Sequence, residues 1–356
     1  MTCVEQTTLK RAGVGLRACD PTKACAGMTL FTTMGSNSGV HLIDLNGQIV
    51  HTWDLAYPAI YGYLTERRTL IYNGRLPSDG GTFLDSTPWK AGVLMEVDWD
   101  GEVLWEIHHP NHHHDGIRLA NGNVLLLCLQ EVPVRLAQRV PGGTPGSEFN
   151  GRMYADYLVE MTIDGRSVWE WRSWEHLAPE KYPIVNMHDH RSEWTHGNAV
   201  AELPGGNLML SFRHTSTVMI IDRQTGDTLW EMGPPLLHNQ HAPSLLANGN
   251  LLIFDNGTHR GPLPYSRVLE IDPATRDVRW FYEDTPQIAF FSPIISNAQR
   301  LRNGNTLINE GASGRLFEVT TDGEVVWEYV NPYFSGPAAR GQQNAVFRAY
   351  RYPEVP

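Results

Sequence analysis

Six times along the chain a short alternating strand, a turn carrying Asp, Asn or Gly, and a second alternating strand close on a tryptophan. The copies read LIDLNGQIVHTW (ending at Trp53), LMEVDWDGEVLW (Trp105), LVEMTIDGRSVW (Trp169), MIIDRQTGDTLW (Trp230), LEIDPATRDVRW (Trp280) and LFEVTTDGEVVW (Trp327). A turn such as NG, DG or TG between two alternating runs is the strongest short-range hairpin signal, because those residues accept positive φ at little cost. Only the fifth copy, with Arg276 in its turn, lacks the glycine. The tryptophans stand 52, 64, 61, 50 and 47 residues apart, which is the period of a propeller blade with insertions of differing length.

A second element lies upstream of most copies: LANGNVLLL at 119–127, LPGGNLMLS at 203–211, LLANGNLLIF at 245–254 and LRNGNTLIN at 301–309, with the weaker TERRTLIYNG filling the slot in the first unit. It too reads as strand, tight turn, strand, so two hairpins supply the four strands of a blade. The expected fold is all-β, a six-bladed β-propeller. One long antiparallel sandwich would explain the alternation but not six repeats in phase. An open ring would leave two bare strand edges, so the tail QNAVFRAYRY is expected to share a blade with GMTLFTTM from the other end. Length alone would allow about two or three domains. The repeat makes residues 25–356 one propeller and leaves 1–24 as an amino-terminal extension.

Composition bears mainly on partners. A net charge of −11 and no Lys/Arg run oppose a nucleic-acid footprint, although a few local Arg and His residues can still attract a small anion. The amino terminus lacks the apolar run of a secretory signal and no apolar stretch of membrane-spanning length occurs. A cytoplasmic chain without a membrane span is therefore expected, periplasmic if a leader has been removed. Among four cysteines no CxxC spacing occurs. Cys128, inside VLLLCLQ, reads as a buried strand residue, and nothing requires Cys19 and Cys25 to be bridged.

In a propeller the segments leading into the innermost strands converge on the mouth of the central channel, and the NGN turns serve as rulers along them. Seven residues before each turn lie His114, Asn198 and His241; nine before lie His112 and His196. Other copies carry ordinary residues such as Ser296 there. Imidazoles from three blades converging on a channel mark a site, where a lone histidine would more often be structural. Arg213, in SFRHTSTV, follows the third such turn, and its planar fork suits a sulfate or phosphate. His188, Asp189 and His190 form a loop that could cap the channel. His108, His109 and His113 are adjacent candidates without a ruler.

The segments EWTHGNAV, LSFRHTSTVMIID, NQHAPSLLANGNLLIFDNG and HHDGIRLANGN resemble the bacterial arylsulfate sulfotransferase family, the kind that uses no nucleotide sulfate donor. The likeness spans nearly the whole chain. It implies a propeller whose channel histidine is sulfated by an aryl sulfate and then passes the group to a phenol, without a cofactor. By that resemblance His241 in NQHAP is the nucleophile, while His196 in WTHGN, Arg213 in SFRH and His114 in HHD hold the sulfuryl oxygens and assist proton transfer; His112, Asn198 and His188 are further substrate-binding candidates. These roles suit the chemistry of a neutral imidazole, a cation facing the transferring oxygens and a proton donor for the departing phenoxide. Known members are longer, with an amino-terminal β domain and an export signal not visible here.

Two other readings use the same ring. Extra imidazoles at His112, His188, His190 and His238, with carboxylates such as Asp115, Asp189 and Glu193, would suit a Zn or Cu-type ion held by His112, His114, His196 and His241 in a hydrolase, lyase or oxidase. A non-catalytic binding propeller would show a groove or apolar face rather than a histidine-lined channel.

Overall fold

A computed structural model describes residues 13–35, 39–77, 80–336 and 342–353; Cys3 and residues 1–12 of the expected extension lie outside them. Strand β1 (Gly15–Cys19) precedes the ring, and blade 1 takes β2 (Met28–Thr32), β3 (Val40–Ile43) and β4 (Ile49–Trp53). Blade 2 is β5 (Ala59–Leu64), β6 (Leu70–Arg75), β7 (Gly92–Val97) and β8 (Val103–His108). Blade 3 is β9 (His112–Arg118), β10 (Val124–Glu131), β11 (Tyr154–Met161) and β12 (Ser167–Arg172). Blade 4 is β13 (Gly197–Glu202), β14 (Leu208–Phe212), β15 (Thr217–Ile221) and β16 (Thr228–Met232). Blade 5 is β17 (His241–Leu245), β18 (Leu251–Asp255), β19 (Arg267–Ile271) and β20 (Val278–Tyr282). Blade 6 is β21 (Asn297–Arg300), β22 (Thr306–Glu310), β23 (Arg315–Val319) and β24 (Val325–Val330), and β25 (Tyr350–Tyr352) ends the chain. Within each blade the strands pair antiparallel in chain order, making the six-bladed propeller.

Both ends of the chain close it. Strand β25 is the innermost strand of blade 1, with Thr29 opposite Arg351 and Leu30 opposite Tyr350. Strand β1 adds a fifth, outer strand to blade 6 by pairing with β24.

The recurrent tryptophan has a mechanical reason. The indole N–H of Trp53 donates to Asp98 O of blade 2 (2.9 Å), Trp230 to Pro273 O of blade 5 (2.8 Å), Trp280 to Thr321 O of blade 6 (2.8 Å) and Trp327 to Leu45 O of blade 1 (2.8 Å). Each staples one blade to a turn of the next. In blade 3 the staple has moved two residues on, to Trp171 and Gly226 O (3.0 Å), and Trp105 instead donates to Glu96 of its own blade.

The NGN turns carry a second link. Asn121 and Asn123 donate to Glu160, Asn248 and Asn250 to Glu270, and Asn305 to Glu318. Each of those glutamates sits on the third strand of its blade and also pairs with an arginine of the following blade: Arg223, Arg300 and Arg351 in turn. Buried carboxylates are costly unless paired and hydrogen-bonded, and here one Glu meets both needs while bridging two blades.

The core is six layers between blades rather than one centre. On β10, Val124, Leu126 and Cys128 pack toward Ile71 and Leu94 of blade 2, while Leu125 and Leu127 pack toward Leu208 and Leu210 of blade 4. Both faces of the strand are covered, which is why it reads as a continuous apolar run. Cys128 is fully buried, and Cys19, Cys25 and Cys128 are free thiols. Among the described residues no helix is long and apolar enough to cross a membrane.

Candidate active site

At one end of the channel the segments entering the innermost strands are bent. His114 (φ 49°), His196 (φ 51°), Ala242 (φ 46°) and Ile295 (φ 50°), from four successive blades, all lie in the left-handed region. The pairing register slips beside three of them, within Leu126/Cys128, Gly197/Ala199 and His241/Ser244. Such bulges re-aim side chains, and non-glycine residues held there cost about 1–3 kcal/mol each, a strain that concentrates at functional sites. The bends surround a pocket of ≈ 390 Å³ that includes His114, His196, Arg213, His214, His241 and Glu193, walled on the apolar side by Phe83, Trp89, Ile294 and Phe347.

His241 is held in one tautomer. Its Nδ1 faces two acceptors, Asn256 Oδ1 at 2.7 Å and Asn239 O at 3.1 Å, so Nδ1 carries the proton and the lone pair is on Nε2. The Ile295 N–H approaches that Nε2 at 3.2 Å. Burial, reinforced by the Arg213 charge, pulls the His241 pKa down to about 3, which leaves the ring neutral near pH 7.

His196 is 6% exposed and stacks on His214 at 4.5 Å between ring centroids. Trp89 and His114 stand edge-on to it at 4.8 and 4.9 Å. Behind it, Nδ1 lies 2.9 Å from Glu193 Oε2. Burial raises the Glu193 carboxyl to about 7, and burial followed by the neighbouring His214 depresses His196. His114 is backed differently. Its Nδ1 is 2.7 Å from His113 Nδ1, and His113 Nε2 is 3.0 Å from Asp156 Oδ1. Burial, then His196, pushes the pKa of His114 well below the usual histidine value.

Arg213 donates through Nη1 to Asp189 Oδ1 at 3.0 Å, while its Nε is buried with no partner. Burial acts to raise the Asp189 pKa and is outweighed by His214 and Arg213, so Asp189 stays ionised. The channel floor is a second ion pair: Arg348 donates to Asp115 Oδ2 (2.8 Å) and to Asn198 O (2.8 Å), with Tyr61 also bonded to Asp115.

Of the residues singled out by sequence, His114, His196, His241 and Arg213 share this pocket, and His188 and His190 stand exposed at its rim. His112 and Asn198 are not among its walls. His112 is fully buried inside the blade, facing the Gly92 N–H at 3.4 Å, and Asn198 is a channel strut donating to Gln240 O at 2.8 Å. The ruler of constant offset fails here: the pocket histidines sit seven, nine and seven residues before their turns, and the bulges beside them are of unequal length. Asp115 is tied to Arg348, His238 packs on His259, and His109 lies beside Cys128. Among the described residues no three His, Cys, Asp or Glu side chains gather as a metal set, and the quartet of His112, His114, His196 and His241 is divided by the position of His112. Sequence reasoning passed over His214 and gave His113 no support, although SFRH and HHHD place each next to a chosen residue.

Residues 81–332 match the family model described as arylsulfotransferase (ASST). No curated protein matches the chain by sequence. In fold the chain is similar to a protein of unknown function from Bacteroides caccae, at 13% identity and a TM-score of 0.55 over 91% of this chain and 98% of that one. A streptogramin B lyase structure aligns at 12% identity and a TM-score of 0.49 over 89% of this chain and 82% of that one.

Proposed function

Because the chain belongs to the arylsulfotransferase family, we propose that it moves a sulfuryl group from an aryl sulfate to a phenolic acceptor through His241, with no metal or other cofactor. The observation that carries this reading is the fixed tautomer of His241: with Nδ1 committed to Asn256 and Asn239, Nε2 is the nucleophilic atom, and the ring is neutral when it must attack. Nε2 bonds to sulfur as the S–O(aryl) bond breaks, and the electron pair leaves on the phenoxide. The departing phenoxide takes a proton from His196 in the pocket wall; the acceptor phenol then attacks sulfur, returning its proton to His196, and Nε2 recovers its lone pair. Arg213, whose Nε has no partner, and the Ile295 N–H, which donates to Nε2 at rest and is released when Nε2 bonds to sulfur, are the donors for the sulfuryl oxygens, in a site where such charge-directed bonds count most. Phe83, Trp89 and Phe347 supply flat apolar walls for the ring of donor and acceptor.

The test is transfer from 4-nitrophenyl sulfate to a second phenol, before and after chelation, in wild type and His241→Asn. The reading predicts sulfated acceptor from wild type in both conditions and none from the variant. Activity lost on chelation and restored by Zn²⁺ would overturn it in favour of the metal reading.

A further inference from the structure

His196 Nδ1 and Glu193 Oε2 stand 2.9 Å apart as a buried ion-pair contact, and neither atom has a hydrogen-bond partner elsewhere to satisfy it. Two such atoms can face each other without a large penalty only if a proton lies between them. The same residue pair is enclosed: Glu193 is 1% exposed, its carbonyl accepts from His214 Nδ1 at 2.9 Å, and His113, Asp156, His214 and Arg213 are the charged or titratable groups that bear on its carboxyl. His196, for its part, is a wall of the pocket that holds His241.

We propose that Glu193 is the proton partner of His196, so that the two trade protons in concert each time a phenoxide leaves or a phenol attacks; this rests on the sulfuryl-transfer reading above. Before donor cleavage the Glu193 carboxylic acid donates to His196 Nδ1, and Nε2–H faces the pocket. As the S–O bond breaks, Nε2 gives its proton to the phenoxide and Nδ1 takes the proton of Glu193, leaving a carboxylate against Nδ1–H. The acceptor phenol reverses both transfers, its proton going to Nε2 and the Nδ1 proton back to Glu193, while its oxygen takes the sulfuryl group. His196 therefore stays neutral throughout, in keeping with a carboxyl near 7 beside a depressed imidazole. Glu193 acts through His196 and is a positioning residue in that sense.

General acid help matters in proportion to how poor the leaving group is. Sulfation of His241 in a single turnover is therefore compared for 4-nitrophenyl sulfate and 4-methylphenyl sulfate in wild type, Glu193→Gln and Glu193→Asp. The proposal expects Glu193→Gln to slow the 4-nitrophenyl donor by less than about 10-fold and the 4-methylphenyl donor by roughly 10²–10³-fold, with Glu193→Asp in between. In wild type the rate with the 4-methylphenyl donor should depend on deuterium fraction along a curve, since two protons move. Equal losses with both donors, or no loss, together with a straight deuterium dependence in wild type, would overturn it. Failure of wild type to sulfate His241 with either donor would instead count against the sulfuryl-transfer reading itself.

Discussion

Asn256 Oδ1 sits 2.7 Å from His241 Nδ1, and the amide that presents it is pinned, because its Nδ2 donates to Ser292 O (2.8 Å) and Ile295 O (3.0 Å). The orientation of the asparagine thus fixes the proton on Nδ1 and the lone pair on Nε2 of a residue in another segment of the blade. Replacing Asn256 by Ala removes this latch, the shorter of the two Nδ1 contacts, leaving only Asn239 O at 3.1 Å, and lets the ring tilt. Misplacement on that scale costs on the order of 10²-fold, so the single-turnover rate with 4-nitrophenyl sulfate should fall by that much in protein shown to be folded by circular dichroism. An unchanged rate would mean the latch does not set the nucleophile.

Arg213 gives Nη1 to Asp189 and keeps a buried Nε without a partner. A lysine cannot reproduce the planar fork that serves a carboxylate and a sulfuryl group together. Arg213→Lys is expected to lower kcat/KM by about 10²–10³-fold, the scale of losing one donor to a developing anion, measured as initial rates of phenol release.

The buried imidazoles tie stability to pH. His241 is held at about 3 against an ordinary 6.5, and His114 and His196 are depressed in the same direction. Between those values the unfolded chain binds protons that the folded one refuses, so stability is present above pH 6.5 and is lost as pH falls toward 3. His241→Asn should flatten the slope of unfolding free energy against pH in this window by up to ~1.4 kcal/mol per pH unit, read from urea titrations at successive pH values.

Ring closure rests on a buried pair. Arg351 bonds Glu318 of blade 6 and donates to Thr29 Oγ1 at 3.0 Å in blade 1. Removing one partner of such a pair leaves the other charge buried, at about 3–5 kcal/mol. Arg351→Met should lower the urea midpoint accordingly, whereas Arg139→Met, which breaks an exposed pair with Glu180, should leave it unchanged.

The blades were legible because their signals are local. A Gly- or Asn-bearing turn between alternating runs specifies a hairpin within a dozen residues, and the tryptophan marks the outer strand because in four of the six blades it is the donor that reaches the next, as Trp327 reaches Leu45. The closure of β2 with β25 followed from the need to hide two edges. The site was legible only in part. His114, His196 and His241 could be picked out as imidazoles near strand starts, but their convergence depends on bulges and positive φ at His114, His196 and Ala242, which displace the counting ruler by residues that no turn motif announces. The same displacement is why His112 and Asn198 were expected at the pocket wall. Glu193 lies only three residues before His196 in the same segment, a spacing that no strand or turn pattern marks, while His113 and Asp156 meet only because β9 and β11 belong to one blade.

The central claim is that the sulfuryl group rests on one nitrogen. Mixing the protein with 4-nitrophenyl sulfate in the absence of acceptor, quenching at alkaline pH and mapping the adduct by peptide mass spectrometry tests it most directly. The account predicts one sulfuryl group on His241, absent from His241→Asn and discharged when a phenol is added. Release of 4-nitrophenol with no adduct on His241, or an adduct that persists in His241→Asn, would contradict it.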